Sequence, residues 1–385
     1  MKSPASDAPR RVLIMLNGDL VGGVEVWSLT YGARCVDDPN FRPIFISLKD
    51  GGFRERAEQR GLDVRTLPTR GPLDLRRARD VAKIVRDEDI SLIHTHTVRA
   101  NLIGRLAGKL ARVPVVTHIH SRTLDETTNV LKNWLNWRYD RLSERLTRHF
   151  IFVAPTLTRD YPAYPSTIIP NSVEPPDSST ERRDLREELG IPAYAPTFGC
   201  IAVLRRRKGV EDLIIAAGSA MKRVPNAHCL IVGSEAEPGY LDELKSIALD
   251  LGVLDRVHFT GYRDDVPDIL HTLDVMVLPS ICGEGLPLII LEALHAGTPP
   301  VATEVEGTTL AIRDGETGYL VAPRDASGIA DRVANLLVDH ELRRAMGARG
   351  IADARKRFTP ERMIRDLHAV YGHVVDNTPG PLTST

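Results

Sequence analysis

The chain has 385 residues, 42% of them hydrophobic and 26% charged, with 50 Lys and Arg against 51 Asp and Glu for a formal net charge of −1. That length suits two domains, the composition excludes a disordered or fibrous chain, and the charge balance supplies no overall basic surface for nucleic acid. The four cysteines, Cys35, Cys200, Cys229 and Cys282, form no CxxC pair and point to a reducing compartment, and no apolar run reaches membrane-spanning length.

Residues 1–11 lack the apolar core of a signal peptide, so secretion is not expected. The run 12–16 reads as a strand buried on both faces, as in a parallel sheet. A turn over 17–23 ends in Gly22-Gly23 and leads into a helix over 24–34. Strands are then predicted at 41–48, 64–67, 90–94, 113–117 and 149–153, with helices at 53–60, 75–88, 101–110 and 131–147 between them. The stretch 174–182 is rich in Pro, Ser and charge and marks a domain boundary. The rhythm then resumes, with strands at 198–204, 227–232, 257–259, 275–278 and 300–302 and helices at 210–221, 240–249, 266–271, 288–296, 326–337, 341–357 and 361–375. Alternating strand and helix argues for two α/β doubly wound, Rossmann-like domains facing a cleft, with sites beyond the carboxyl ends of strands.

Gly22 and Gly23 sit where glycine allows close approach of backbone to a ligand, at a helix start that favours an anion, although the G-x-G-x-x-G fingerprint is absent. His94, His96, His118 and His120 follow two predicted strands as i, i+2 pairs. Four imidazoles are a conceivable zinc set, but no carboxylate or cysteine stands nearby in a recognisable spacing, so a structural role is expected for most of them and no metal. The run Arg205-Arg206-Arg207-Lys208 before Gly209 suits a diphosphate. Glu284 lies between Gly283 and Gly285 in a loop, and Glu292 lies in an otherwise apolar helix, where an acid is costly without partners but well suited to sugar or ribose hydroxyls. Trp134, Trp137 and Tyr139 among Lys132, Arg138 and Arg141 form a helix that packs internally, meets an anionic membrane surface or binds a long acceptor.

Taken in order, Gly22 to Glu25, His94 to His96, 114–120, 169–174, Leu204 through Gly209, 261–264, 274–280, Glu284 through Leu294 and 314–321 resemble the retaining glycosyltransferases of family 4, group 1, in its bacterial polysaccharide and lipid branch. The resemblance implies the two-domain GT-B fold, with an acceptor domain over 1–175, a linker over 176–190, a nucleotide-sugar domain over 191–359 and a helix over 360–377 returning to the first domain. It implies transfer of a sugar from a UDP- or GDP-sugar to a hydroxyl of a glycan or lipid-linked saccharide in the cytoplasm or at the inner face of the membrane, with no cofactor and no nucleic acid. His120, Lys208 and Glu284 take catalytic places in that pattern. Gly22, Gly23, Arg205, Arg206, Gly285, Leu286, Glu292, Leu320 and Val321 join Lys208 in holding the nucleotide sugar, and His96, His118 and Arg122 lie on the acceptor side. Val203 stands where the family often has arginine, and Leu310 where it often has glutamate, which also leaves open a nucleotide-sugar hydrolase or epimerase and a non-catalytic binding protein.

Overall fold

The structure is a computed structural model that describes residues 8–18, 22–71, 74–122, 130–161, 163–177 and 179–377. Residues 19–21 of the predicted turn and the Lys132 side chain lie outside them. In chain order the elements are β1 (Arg10–Leu16), α1 (Gly23–Cys35), β2 (Phe41–Ser47), α2 (Gly52–Gln59), β3 (Val64–Thr66), α3 (Arg76–Asp87), β4 (Ile90–Thr95), α4 (Val98–Ala111), β5 (Val115–Ile119), α5 (Val130–Ser143), β6 (His149–Phe152) and β7 (Ser166–Ile168). They continue with β8 (Thr197–Ile201), α6 (Val210–Arg223), β9 (His228–Val232), α7 (Tyr240–Asp250), β10 (Val257–Gly261), α8 (Val266–Thr272), β11 (Val275–Leu278), α9 (Leu288–Ala296), β12 (Pro300–Thr303), α10 (Thr308–Ala311), β13 (Tyr319–Val321), α11 (Ala326–Val338), α12 (His340–Arg357) and α13 (Pro360–Asp376). None of the described helices is long and apolar enough to cross a membrane.

The chain divides into two compact units, residues 1–172 with 360–385, and residues 173–359. The first holds a parallel sheet in the order β3-β2-β1-β4-β5-β6-β7, and the second a parallel sheet in the order β10-β9-β8-β11-β12-β13. Both are doubly wound. In each, the chain reverses direction across the sheet between the first and fourth strands, which opens a crevice at their carboxyl ends. Strand residues Val12 to Leu16 and Val275 to Leu278 are fully or almost fully buried, as continuous apolar runs in a two-face-covered sheet must be. In the first unit, α13 lays Met363, Leu367, Val370 and Tyr371 into the core beside Trp27, Tyr31 and Phe41. Leu185, inside the stretch expected as linker, is buried with Ile191 and Ala195 against Leu230, Val232, Ile269 and Leu273 of the second unit.

The structure departs locally from the sequence expectation in several places. The strand expected at 113–117 runs two residues later, because Pro114 has no N–H to give the ladder and only its carbonyl joins, accepting from Ile93 N at 3.1 Å. This places His118 inside β5. The helix expected to reach 147 stops at Ser143 and tightens into a 3₁₀ turn over Glu144–Leu146. There the buried Arg105 takes the Asp140 carbonyl at 3.0 Å, a group that would otherwise serve the next helical turn. The strand expected at 198–204 ends at Ile201, with Leu204 reduced to an isolated bridge to Glu235. The elements β7, α10 and β13, of three or four residues each, lie outside the elements expected from the sequence.

Arg105 is fully buried on α4 and pairs with the nearly buried Asp140 at 2.7 Å, with Ser143, Thr147 and Thr117 taking further hydrogen bonds and Tyr161 donating to Asp140 at 3.0 Å. Removing one partner of such a pair leaves a buried charge. Asp140→Ala is expected to lower the stability of the first unit by about 3–5 kcal/mol, read as a lower urea midpoint with an unchanged slope.

Candidate functional site

In the second unit the crevice lies beyond β8 and β11. After β8 the chain runs extended to Arg205 and closes a 3₁₀ turn over Arg206–Lys208, ending at Gly209 with a left-handed φ of 64°. A side chain at Gly209 would overlap the Pro279 carbonyl oxygen, so only glycine lets the β8 turn lie against the loop that follows β11. That approach joins the two segments. Lys208 Nζ donates to Glu284 Oε1, Ser280 Oγ donates to the same oxygen at 2.6 Å, and Ile281 N donates to the Arg207 carbonyl at 2.8 Å. Arg207 Nη1 reaches the carbonyls of Gly283 at 3.1 Å and Cys282 at 3.4 Å. From the other side Glu306 accepts from Glu284 N at 3.1 Å and Gly283 N at 3.4 Å, and Gly307 N donates to the Glu284 carbonyl at 3.0 Å. A Cβ at Gly307 would strike the Gly285 carbonyl.

The two acids face opposite electrostatics. Burial alone pushes the Glu284 carboxyl up, but the charge and hydrogen bond of Lys208, the Ser280 hydroxyl and the Arg207 charge together bring it below its ordinary value, so it is ionised. Glu292, half-buried on α9, has no hydrogen-bond partner among the described residues, and burial pushes its carboxyl up to about 7. An acid poised at neutral pH and left without a protein partner is suited to hydroxyl donors from a ligand.

The structure brings Lys208 and Glu284 into direct contact and sets Gly285 and Leu286, both buried, immediately after them. It does not bring Arg206 there: the guanidinium pairs with Glu243 at 2.6 Å and Glu211 at 3.2 Å and lies over the Tyr240 ring. Arg205 has no side-chain partner among the described residues. Leu320 and Val321 lie on β13 and line a depression with Glu304, Asp325 and Arg332 that contains neither Lys208 nor Glu284. Two contributors escaped the sequence reading. Arg207 was one of four cations in a row with nothing to single it out, and Glu306 lies in a segment read only through Leu310.

In the first unit Gly22 caps α1 with φ −113°, so no left-handed conformation is needed there. That conformation belongs to Gly18, at φ 80°, where a Cβ would overlap Ser47. Glu25 gathers both turns, accepting from Gly22 N at 3.1 Å and Gly18 N at 3.3 Å, while Gly22 and Gly23 stay exposed. The four imidazoles gather at β4 and β5 under Trp27, with neighbouring ring centroids 4.1–5.4 Å apart. His94, His96 and His118 are buried, and His120 is the most open of the four. Burial holds His120 down at about 3, and burial followed by neighbouring imidazoles holds the other three well below their ordinary value, so the cluster is neutral. Arg122 pairs with Asp160 at 3.1 Å. On α5, Leu131, Trp134, Leu135 and Leu142 are exposed, and Arg138 lies over the Trp134 ring.

Residues 181–353 match the family model described as glycosyl transferases group 1, and residues 21–175 match that described as glycosyltransferase family 4. N-acetyl-alpha-D-glucosaminyl L-malate synthase of Bacillus anthracis is 27% identical over 79% of this chain and 80% of its own. D-inositol 3-phosphate glycosyltransferase of Corynebacterium efficiens is 31% identical over 69% of this chain and 68% of its own. Among solved structures, Anabaena HepE in complex with UDP and glucose is similar with a TM-score of 0.83 at 23% identity, covering 94% of this chain and 100% of that one. Sucrose-phosphate synthase of Thermosynechococcus elongatus is similar with a TM-score of 0.79 at 19% identity, covering 96% and 100%. At those identities the likeness carries the fold, two Rossmann-like domains.

The raised carboxyl of Glu292 links stability to pH. Between its ordinary value of 4.5 and about 7 the folded chain keeps a proton that the unfolded chain has lost, so stability falls as pH rises through that window and levels above it. Glu292→Gln is expected to remove that loss, which is at most about 3 kcal/mol, so that denaturation midpoints of the variant and parent match near pH 4 and separate by pH 8 with the variant higher.

Proposed function

Because the chain belongs to the group 1 glycosyltransferases, we propose that it transfers a sugar from a nucleotide diphosphate sugar to a hydroxyl of a glycan or lipid-linked saccharide acceptor, with retention at the anomeric carbon, in building a surface polysaccharide. The observation that carries this reading is the Lys208–Glu284 pair at the carboxyl ends of β8 and β11, followed by Glu292 on α9, which has no hydrogen-bond partner among the described residues. The group that leaves in such a transfer is a diphosphate, on which negative charge grows as the sugar–phosphate bond breaks. Lys208 is the cation set to meet that charge, sharing its ammonium between the diphosphate and Glu284. A preorganised donor of this kind is worth about 3–4 kcal/mol in the transition state.

Each acid then has its own task. Glu284, ionised beside Lys208, accepts hydrogen bonds from hydroxyls of the transferred sugar. Glu292 accepts from the ribose hydroxyls, which favour its carboxylate and draw its proton off. The complexes of HepE with UDP and with UDP-glucose support a uridine nucleotide as the first donor to try. In the first unit His120, neutral and the most open of the four imidazoles, offers a hydrogen bond to the sugar without adding charge, and Arg122 stands on the acceptor side. The exposed apolar face of α5 is the surface for a lipid-linked acceptor and for the membrane that carries it.

Release of nucleoside diphosphate from UDP- and GDP-sugars, followed with and without saccharide acceptors, tests the reading. Acceptor-dependent release is expected. Release at one rate with every acceptor or none would make the protein a hydrolase, and no release from any donor would leave a binding protein. Lys208→Ala is expected to lower kcat by about 10²–10³-fold. Glu292→Gln is expected to weaken nucleotide binding by about 10–100-fold and to abolish the proton released on binding near pH 7, both read by calorimetry in buffers of different ionisation enthalpy. Trp134→Ser is expected to raise KM for a lipid-linked acceptor while leaving donor affinity unchanged, and an unchanged KM would detach α5 from acceptor binding.

A further inference from the structure

We propose that His94, His96 and His118 form a binding site for one transition-metal ion of the zinc class within the first unit, separate from the sugar-transfer machinery of the second. The backbone sets up the cluster. β4 and β5 are adjacent and parallel, with His94 beside Val116 and Thr95 beside Thr117. Alternate residues of a strand share a face, so two histidine pairs two residues apart on neighbouring strands put four rings on one face. Trp27 of α1 covers them, its ring centroid 4.4 Å from that of His96 and 5.3 Å from that of His118.

The nitrogens divide into two sets. His94 Nδ1 shares a hydrogen bond with the Tyr371 hydroxyl at 2.7 Å, and His96 Nδ1 shares one with His120 Nε2 at 2.9 Å. The remaining nitrogens, His94 Nε2, His96 Nε2 and both nitrogens of His118, are buried without a hydrogen-bond partner among the described residues. A ligand nitrogen from each of these three rings lies within 4.8 Å of the others. Buried polar atoms are normally satisfied, and three neighbouring imidazoles that each keep a buried nitrogen without a partner among the described residues ask for a shared one. A single metal ion satisfies all three at once.

The partnered nitrogens support the same conclusion. A metal-bound imidazole normally gives its other N–H to an outer acceptor, which fixes the tautomer and aims the ligating nitrogen inward. Tyr371 Oη and His120 Nε2 are those acceptors, for His94 and His96. The donor set selects the ion: three neutral imidazoles suit zinc, copper or nickel and not the oxygen-preferring magnesium or calcium. Zinc–imidazole distances of about 2.0–2.1 Å require the three nitrogens, now within 4.8 Å of one another, to draw closer by side-chain rotation, and a three-histidine set leaves a fourth position for water or a small anion. The lack of a nearby carboxylate or cysteine, which argued against a metal from sequence, does not count against a three-histidine site, since such a set needs neither. The second cluster of possible ligands, Cys35, Asp38 and His368, is weaker, because His368 Nε2 already meets the Tyr31 hydroxyl at 3.3 Å. A metal at the histidine cluster would tie β4 to β5 and, through Tyr371, to α13.

Full-length protein stripped with chelator and gel-filtered is titrated with zinc chloride and, separately, cobalt chloride. One equivalent of zinc retained through a second gel filtration, a raised melting temperature, and the visible absorption of four-coordinate cobalt are expected. Tyr371→Phe is expected to weaken zinc binding by about 10–100-fold, His118→Gln to abolish it, and His368→Gln to leave it intact. X-ray absorption of the unsubstituted zinc protein, which needs no variant to fold, is expected to show three imidazole nitrogens. No retained zinc with no thermal shift, a sulfur-containing shell, or undiminished binding in a folded His118→Gln protein would each overturn the site. Nucleoside diphosphate release is read separately, so failure of the metal site leaves the transfer reading standing, and the reverse.

Discussion

The crevice of the second unit is built around an ion pair held out of water. Lys208 and Glu284 are both largely buried, and taking two charges from solvent costs more than their attraction returns unless further hydrogen bonds satisfy them. Here Ser280 supplies a hydroxyl to the carboxylate, Arg207 fixes the loop carbonyls beside it, and Glu306 holds the loop N–H groups from behind. Three segments, after β8, β11 and β12, therefore have to lie within contact of one another. Gly209 and Gly307 are what make that contact sterically open, since a side chain at either would collide with a backbone oxygen of the neighbouring segment. The glycines and charges are one device: the first permit the approach and the second use it.

The same strand order yields opposite chemistry in the two units. Both sheets reverse direction between their first and fourth strands. In the second unit the crevice is lined by a cation and an anion. In the first, the strands on one side of the reversal carry imidazoles that burial keeps neutral under an indole roof. A neutral cluster does not attract a diphosphate by charge, so on the proposed function the second unit would grip the nucleotide and the first would contribute hydrogen bonds to sugar or acceptor. It is also the condition under which imidazole ligates metal, because only the unprotonated ring has a lone pair to give.

The fold was legible wherever a segment carried a continuous apolar run, as at 275–278 for β11 and through most of 288–296 for α9. Lys208, Glu284 and Glu292 stood out because charge beside buried strands or inside an apolar helix demands an explanation. The direction of side chains did not show. Within Arg205 to Lys208 a 3₁₀ turn sends one arginine to the acids of α6 and α7, another to loop carbonyls and the lysine to Glu284, and no spacing rule separates them before the turn geometry is known. Gly18 likewise outweighs Gly22 in conformational demand because its φ is 80° and Ser47 lies where a Cβ would stand, neither of which the sequence displays.

Glu284 and Glu292, eight residues apart, show how environment assigns roles to identical side chains. Each is taken from water, and that alone pushes each carboxyl up. For Glu284 the cost is offset by Lys208, which leaves an ionised group with its charge already committed. For Glu292 nothing among the described residues offsets it, so the carboxyl waits near neutrality with its hydrogen-bonding capacity free. On the proposed function such a pair would divide the labour of a site: the committed acid holds a cation in place, and the uncommitted one becomes a strong acceptor when a ligand brings hydroxyls to it. On the proposed reading the nucleotide thus completes an electrostatic arrangement that the chain leaves unfinished, and the incomplete acid is the reason a neutral hydroxyl pair can be bound tightly in a largely apolar helix face.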